Sequence, residues 1–85
     1  MAEEEIGFIT HYFSHIGVGV INIRKGKLKV GDKIHVKGAT TDFTQKIESM
    51  QVEHKSIKEA KKGDDIGLKV KDHVREYDKV FKVID

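Results

Sequence analysis

Apolar and polar positions alternate in short runs along the chain, and no run holds a 3.6-residue period long enough for a helix. From Glu5 to Phe13 the pattern predicts a strand, with Ile6, Phe8, Thr10 and Tyr12 on one face and Ile9, His11 and Phe13 on the other. Ser14-His15-Ile16-Gly17 is a break, and a second strand runs from Gly17 to Arg24. Leu28 and Val30 anchor the loop after Lys25-Gly26-Lys27, and a strand over Lys33–Lys37 turns Ile34 and Val36 to one side. A long strand is expected from Phe43 to His54. Ile47 is out of phase with Met50 and Val52, so a bulge is expected near Ser49. Ser56–Ala60 reads as one helical turn at most, Asp65–Val70 as a strand, Lys71–Tyr77 as a polar connection, and Asp78–Ile84 as the last strand.

Six or so short strands separated by turn signals predict an all-β barrel or sandwich, and at this length closure into a six-stranded antiparallel barrel is favoured because it removes unprotected edges. Its expected core includes Phe8, Val20, Ile34, Ile47, Ile66, Leu68 and Val80, with Phe81 beside them. Two turns share the sequence Lys-x-Gly-Asp-x-Ile, at Lys29–Ile34 and Lys61–Ile66. Glycine admits backbone angles that other residues resist, and the aspartate after it bonds back to the turn's own amides.

Composition adds three constraints. The 85 residues suffice for one small domain, read as an acidic tail over residues 1–5 followed by a barrel over 6–85. The absence of cysteine removes disulfide staples and thiolate metal sites, and no apolar run approaches the ~20 residues that span a bilayer. The acidic start has the wrong sign for a signal peptide, which gives a cytoplasmic expectation with no membrane contact. The net charge is only +2, but it is unevenly spread: residues 22–46 carry seven basic side chains against Asp32 and Asp42. Such a concentration is an anion-binding footprint, or else a lysine-dressed edge that resists strand aggregation.

In order along the chain stand Gly17-Val18-Gly19-Val20, Arg24-x-Gly26-x-Leu28-Lys29-Val30-Gly31-Asp32-x-Ile34, Ile47-x-Ser49-Met50, Ile57-x-x-Ala60-x-x-Gly63-Asp64-x-Ile66-Gly67 and Val74-Arg75-Glu76-x-Asp78-x-Val80. This set resembles the second, β-barrel domain of elongation factor Tu-type translational GTPases. It is most similar to free-standing archaeal translation-elongation-factor-like proteins. A similar barrel is appended to some collagenase-like peptidases. The resemblance implies a translation-protein barrel and a role in protein biosynthesis.

Aligned on the Gly26 and Gly63 turns, the family's pocket for the terminal adenosine of aminoacyl-tRNA falls on Tyr12, Ser14, Val18 and Gln51. Gln51 stands where the family places a glutamate, and Ser14-His15-Ile16 replaces its Gly-Arg-Gly. Arg24, Lys25, Lys27, Lys29, Lys33 and Lys37 form the candidate phosphate-contacting set, with Lys33 and Lys37 sharing a face.

No Gly-x-x-x-x-Gly-Lys-Ser/Thr loop is present, so GTP binding is not expected. No nucleophile–base–orienter set is visible, and no cofactor or metal is expected. The chain thus reads as a non-catalytic module contacting RNA or the ribosome through its lysine-rich hairpin. The alternative is a protein-docking barrel that partners a separately encoded GTPase or peptidase.

Overall fold

The computed structural model describes residues 2–53 and 55–84; Met1, Asp85 and His54, read above as the end of the long strand, lie outside them. In chain order the strands are β1 (Ala2–Phe13), β2 (Val18–Ile23), β3 (Lys27–Lys29), β4 (Lys33–Lys37) and β5 (Asp42–Lys46). They continue with β6 (Met50–Val52), β7 (Lys55–Ile57), β8 (Glu59–Lys61), β9 (Asp65–Lys69) and β10 (Lys79–Ile84). Eight of them form one antiparallel sheet in the order β5-β4-β10-β1-β2-β9-β6-β7, and β3 pairs with β8 in a second.

The all-β antiparallel class is as expected, but the six-stranded closed ring is not. Among the described residues the ladder runs from a β5 edge to a β7 edge, and no strand pair joins the two. The reason lies in the segment read as one long strand. Ile47 and Met50 are both fully buried although three residues apart, a spacing that a straight strand would send to opposite faces. The chain therefore breaks over residues 47–49, and β5 and β6 end up near opposite ends of the sheet rather than on two sides of a bulge. The expected helical turn at Ser56–Ala60 is likewise extended, as β7 and β8.

Gln45 spans the gap that the ladder leaves. Its Nε2 donates to the Lys69 carbonyl at 2.9 Å and its Oε1 accepts the Lys71 N–H at 2.8 Å. One carboxamide thus offers a donor and an acceptor to the end of β9, as a neighbouring peptide group would.

The core is built of aliphatic side chains, with Ile34, Ile47, Ile66, Leu68 and Val80 among them as expected. Phe8, Val20 and Phe81 are only half-buried. For Phe8 the cause is the first of two register shifts in β1, the one against β10 between Glu5 and Gly7; the second, against β2, comes later, between Ile9 and His11. The extra residue, Ile6, changes the phase, so that Ile6 and Ile9 both face inward and Phe8 faces out. On β2 the inward positions are Gly19, Ile21 and Ile23, which sends Val20 to the other face. Residues 2–5, set apart by composition as an acidic tail, are the first part of β1 and pair with β10 from Ala2 opposite Ile84.

Candidate binding surfaces

Three turns repeat one hydrogen-bond pattern: Lys29–Asp32, Lys61–Asp64 and Arg75–Asp78. In each, the aspartate N–H donates to the first residue's carbonyl, at 3.0, 3.0 and 3.2 Å. Its Oδ2 accepts the first residue's N–H, at 2.8, 3.0 and 2.9 Å. The third residue has positive φ in all three: Gly31 at 99°, Gly63 at 95° and Tyr77 at 71°. Glycine accepts that conformation without strain, and tyrosine does not.

Tyr77 is 77% exposed. It stacks on Phe8 with centroids 6.2 Å apart, and the Arg24 guanidinium carbon lies 5.7 Å from the centre of the same Phe8 ring. A shallow cleft of about 310 Å³ beside them is lined by Glu5, Gly7, Phe8, Arg24 and Lys25. The outward turn of Phe8 and the strained turn at Tyr77 together build an aromatic and cationic patch. Arg75-x-x-Asp78 repeats the spacing of Lys29-x-x-Asp32, and that signal marks the third turn in the sequence despite its missing glycine.

A larger groove, about 690 Å³, lies between β5 and the end of β9. Lys33, Lys46, Lys69 and Lys71 line it with Thr44, Gln45, Glu48, Ser49 and Val70. Of the six basic residues singled out from the sequence, only Lys33 lines this groove. Arg24 and Lys25 line the aromatic cleft; Lys27 lies 3.9 Å from Glu59 and is exposed with Lys29 on β3. Lys33 and Lys37 share the outer face of β4 while Ile34 and Val36 are buried. Lys46, Lys69 and Lys71 were hidden in the sequence because balanced charge surrounds the last two. The register Lys33 opposite Lys46 is fixed only by folding.

The candidate nucleotide-end residues divide between faces. Tyr12 is opposite Gly19, whose inward side meets Val74, Val70 and Ile9; Tyr12 packs at the rim of the core, its ring 4.7 Å from His73. Val18 and Gln51 lie on the other face, next to Gly67, and Ser14 is exposed in the turn after β1.

Between Lys33 and Lys37, His35 is held by two carboxylates. Its Nδ1 is 2.9 Å from Glu3 Oε2 and its Nε2 is 2.5 Å from Asp42 Oδ1. A ring that donates from both nitrogens is an imidazolium. The hydrogen bond to Asp42, then that to Glu3, raises the His35 pKa above its ordinary value. The same bond from His35 lowers that of Asp42. A raised histidine contributes stability below its unfolded pKa of about 6.5 and loses it as pH climbs through the folded value. A lowered aspartate contributes above its unfolded value, about 3.9, and loses it as pH falls. The melting temperature is therefore expected to peak between roughly pH 4 and 6.5 and to fall on the alkaline side. In His35→Gln the alkaline fall should disappear; parallel profiles for the two proteins would exclude the clamp.

Among the described residues no helix is long and apolar enough to cross a membrane. No family model matches the chain. It is 39% identical over 72 residues to a collagenase of Porphyromonas gingivalis, an alignment covering 84% of this chain and 20% of that protein. It is 37% identical over 78 residues to an uncharacterised protease of Methanocaldococcus jannaschii, covering 91% of this chain and 19% of the relative. Elongation factor 1-alpha of Pyrococcus horikoshii is 36% identical over 70 residues, covering 74% of this chain and 16% of its own. The chain thus spans about a fifth of the length of the curated relatives it matches. In fold it is similar to the C-terminal domain of a Geobacillus thermoleovorans protein assigned to the U32 peptidases. That match has a TM-score of 0.87 at 24% identity and covers 95% of this chain and 93% of the other.

These findings correct the translation reading. The elongation-factor likeness is present but is the weaker one, and the stronger likenesses are to proteases and a collagenase. The expected RNA contact and role in protein biosynthesis have no support beside them. Nor is the likeness archaeal alone, since a bacterial collagenase matches as well as an archaeal protease.

Proposed function

We propose that this chain is a non-catalytic docking module of the kind carried by collagenase-type and U32-type peptidases, and that its partner is the catalytic portion of such an enzyme. The observation that carries the reading is the coverage of the P. gingivalis match: 84% of this chain against 20% of the collagenase. The matching unit is a small part of a much larger protein, so it works beside other structure. A U32-type C-terminal domain has the same fold, in line with a separately folding appendage.

The docking surface in this reading is the Tyr77–Phe8–Arg24 patch. Exposed aromatic and arginine side chains are the residues most enriched at binding hot spots. A non-glycine residue held at positive φ, with its ring in solvent, is strain that folding alone does not require.

The test uses the M. jannaschii protease trimmed of its own matching segment. Titration calorimetry with this chain is expected to give a one-to-one complex. Tyr77→Gly removes the ring and relieves the turn. Its stability should stay within about 1 kcal/mol of the parent, because lost stacking and relieved strain offset each other. Its affinity should fall at least tenfold, the loss of about 1.4 kcal/mol expected for a hot-spot residue. No heat and no co-elution at tens of micromolar parent protein would overturn the docking reading.

A further inference from the structure

The groove between β5 and the end of β9 has two properties that together specify what it takes. The first is an open backbone. The bonds from Gly38 N–H to the Thr41 carbonyl and from Ile47 N–H to the Asp32 carbonyl fix the phase of the β4–β5 ladder. Antiparallel ladder bonds involve alternate residues, so Phe43 and Gln45 exchange bonds with β4. Thr44 and Lys46 therefore turn their N–H and C=O groups away from β4, toward the groove. Among the described residues no strand pairs with that side of β5.

The second property is charge. Lys33, Lys46, Lys69 and Lys71 face the groove, with Glu48 as the one acidic residue of its lining among the described residues. Lys33 and Lys46 are direct cross-strand partners, a like-charge pair that destabilises the sheet on its own. Lys69 is on the outward face of β9, and Lys71 follows it by two. The carboxamide of Gln45, itself part of the lining, ties the Lys69–Lys71 segment across from β5.

We propose that this groove binds an extended acidic peptide segment of a partner protein, laid along the open edge of β5 with carboxylates at alternate positions. Backbone groups of the segment bond to Thr44 and Lys46. Side chains two apart share a face, which brings successive carboxylates to the lysines. The inference rests on the docking reading above and names a second contact for that partner.

The probe is an acetylated, amidated hexapeptide alternating glutamate and threonine, titrated into the labelled protein and followed by amide NMR. Shifts are expected at Thr44, Lys46, Lys69 and Lys71, saturating below about 1 mM at low salt and weakening as salt rises. The Lys46→Glu/Lys69→Glu variant relieves the like-charge pair with Lys33, so it should melt at or slightly above the parent and bind at least about tenfold more weakly. The same hexapeptide with N-methylated amides should lose binding by a similar factor.

Equal binding of the N-methylated peptide, shifts confined to other residues, or the same shifts arising from protein concentration alone would each overturn the proposal. So would tighter binding of a single-stranded oligonucleotide. The two readings fail separately: if the calorimetric complex forms and the hexapeptide does not bind, the groove is wrong and the docking stands. If no complex forms, the docking reading falls whatever the peptide does.

Discussion

Replacing Gly7 with alanine is expected to destabilise the domain by about 3 kcal/mol or more, the upper range for forcing atoms into a packed site. Gly7 is opposite both Val80 on β10 and Ile23 on β2, so its backbone is pinned from two sides. An added Cβ would lie 2.0 Å from the Asn22 carbonyl oxygen and 3.0 Å from its carbon. The obstacle is backbone in the neighbouring strand, so no side chain can swing aside. A domain of this size has roughly 5–10 kcal/mol in all, and the melting temperature should drop by about 12 °C or more. Gly31→Ala is the comparison. Nothing lies within 4 Å of its Cβ position, and its cost comes from positive φ alone, about 1–2 kcal/mol. A Gly7→Ala protein melting within about 3 °C of the parent would show that β1 and β2 do not approach so closely.

The second large effect is at Gly38, and it is a coupling. Asp78 is 5% exposed, with Oδ2 accepting the Arg75 N–H. Its other carboxylate oxygen lies under Gly38, where a Cβ would come so close that one of the two must move. Gly38→Ala should cost about 2–3 kcal/mol by displacing either the loop before β5 or the carboxylate that ties the third turn. If the clash is with Asp78, the cost shrinks in an Asp78→Ala background. The double-mutant cycle should then return a coupling of about 1–2 kcal/mol. Strict additivity would mean that Gly38 is constrained by its own loop and not by the aspartate.

Both sites illustrate how legible this chain was. The two Gly-Asp turns are legible because they are local: a glycine for positive φ, an aspartate three residues from the amide it accepts. The third reads as part of a polar connection because Tyr77 fills the glycine position, and only Asp78 preserves the pattern. The inward alternation of Ile34 with Val36 and of Ile66 with Leu68 is also local, and it was right. The expected place of Phe8 failed because a bulge is set by the partner strand. Nothing in Glu5-Ile6-Gly7-Phe8 says that Ile6 is the residue left over when β10 pairs alongside.

By itself, then, the sequence determined the all-β class, the turn chemistry and part of the core, since alternation and turn formation act over a few residues. It also carried the likeness to translation barrels and to the appendages of collagenase-like peptidases. The tertiary structure decided what depends on register and on strands far apart in the chain. It split the long strand at Ile47–Met50, left β5 with an open edge and dispersed the lysines of residues 24–37. It also gathered Lys33, Lys46, Lys69 and Lys71 around one groove. Charge along a chain records composition, whereas a binding surface needs side chains on one face. Which residues share that face follows from a strand pairing that no local signal encodes.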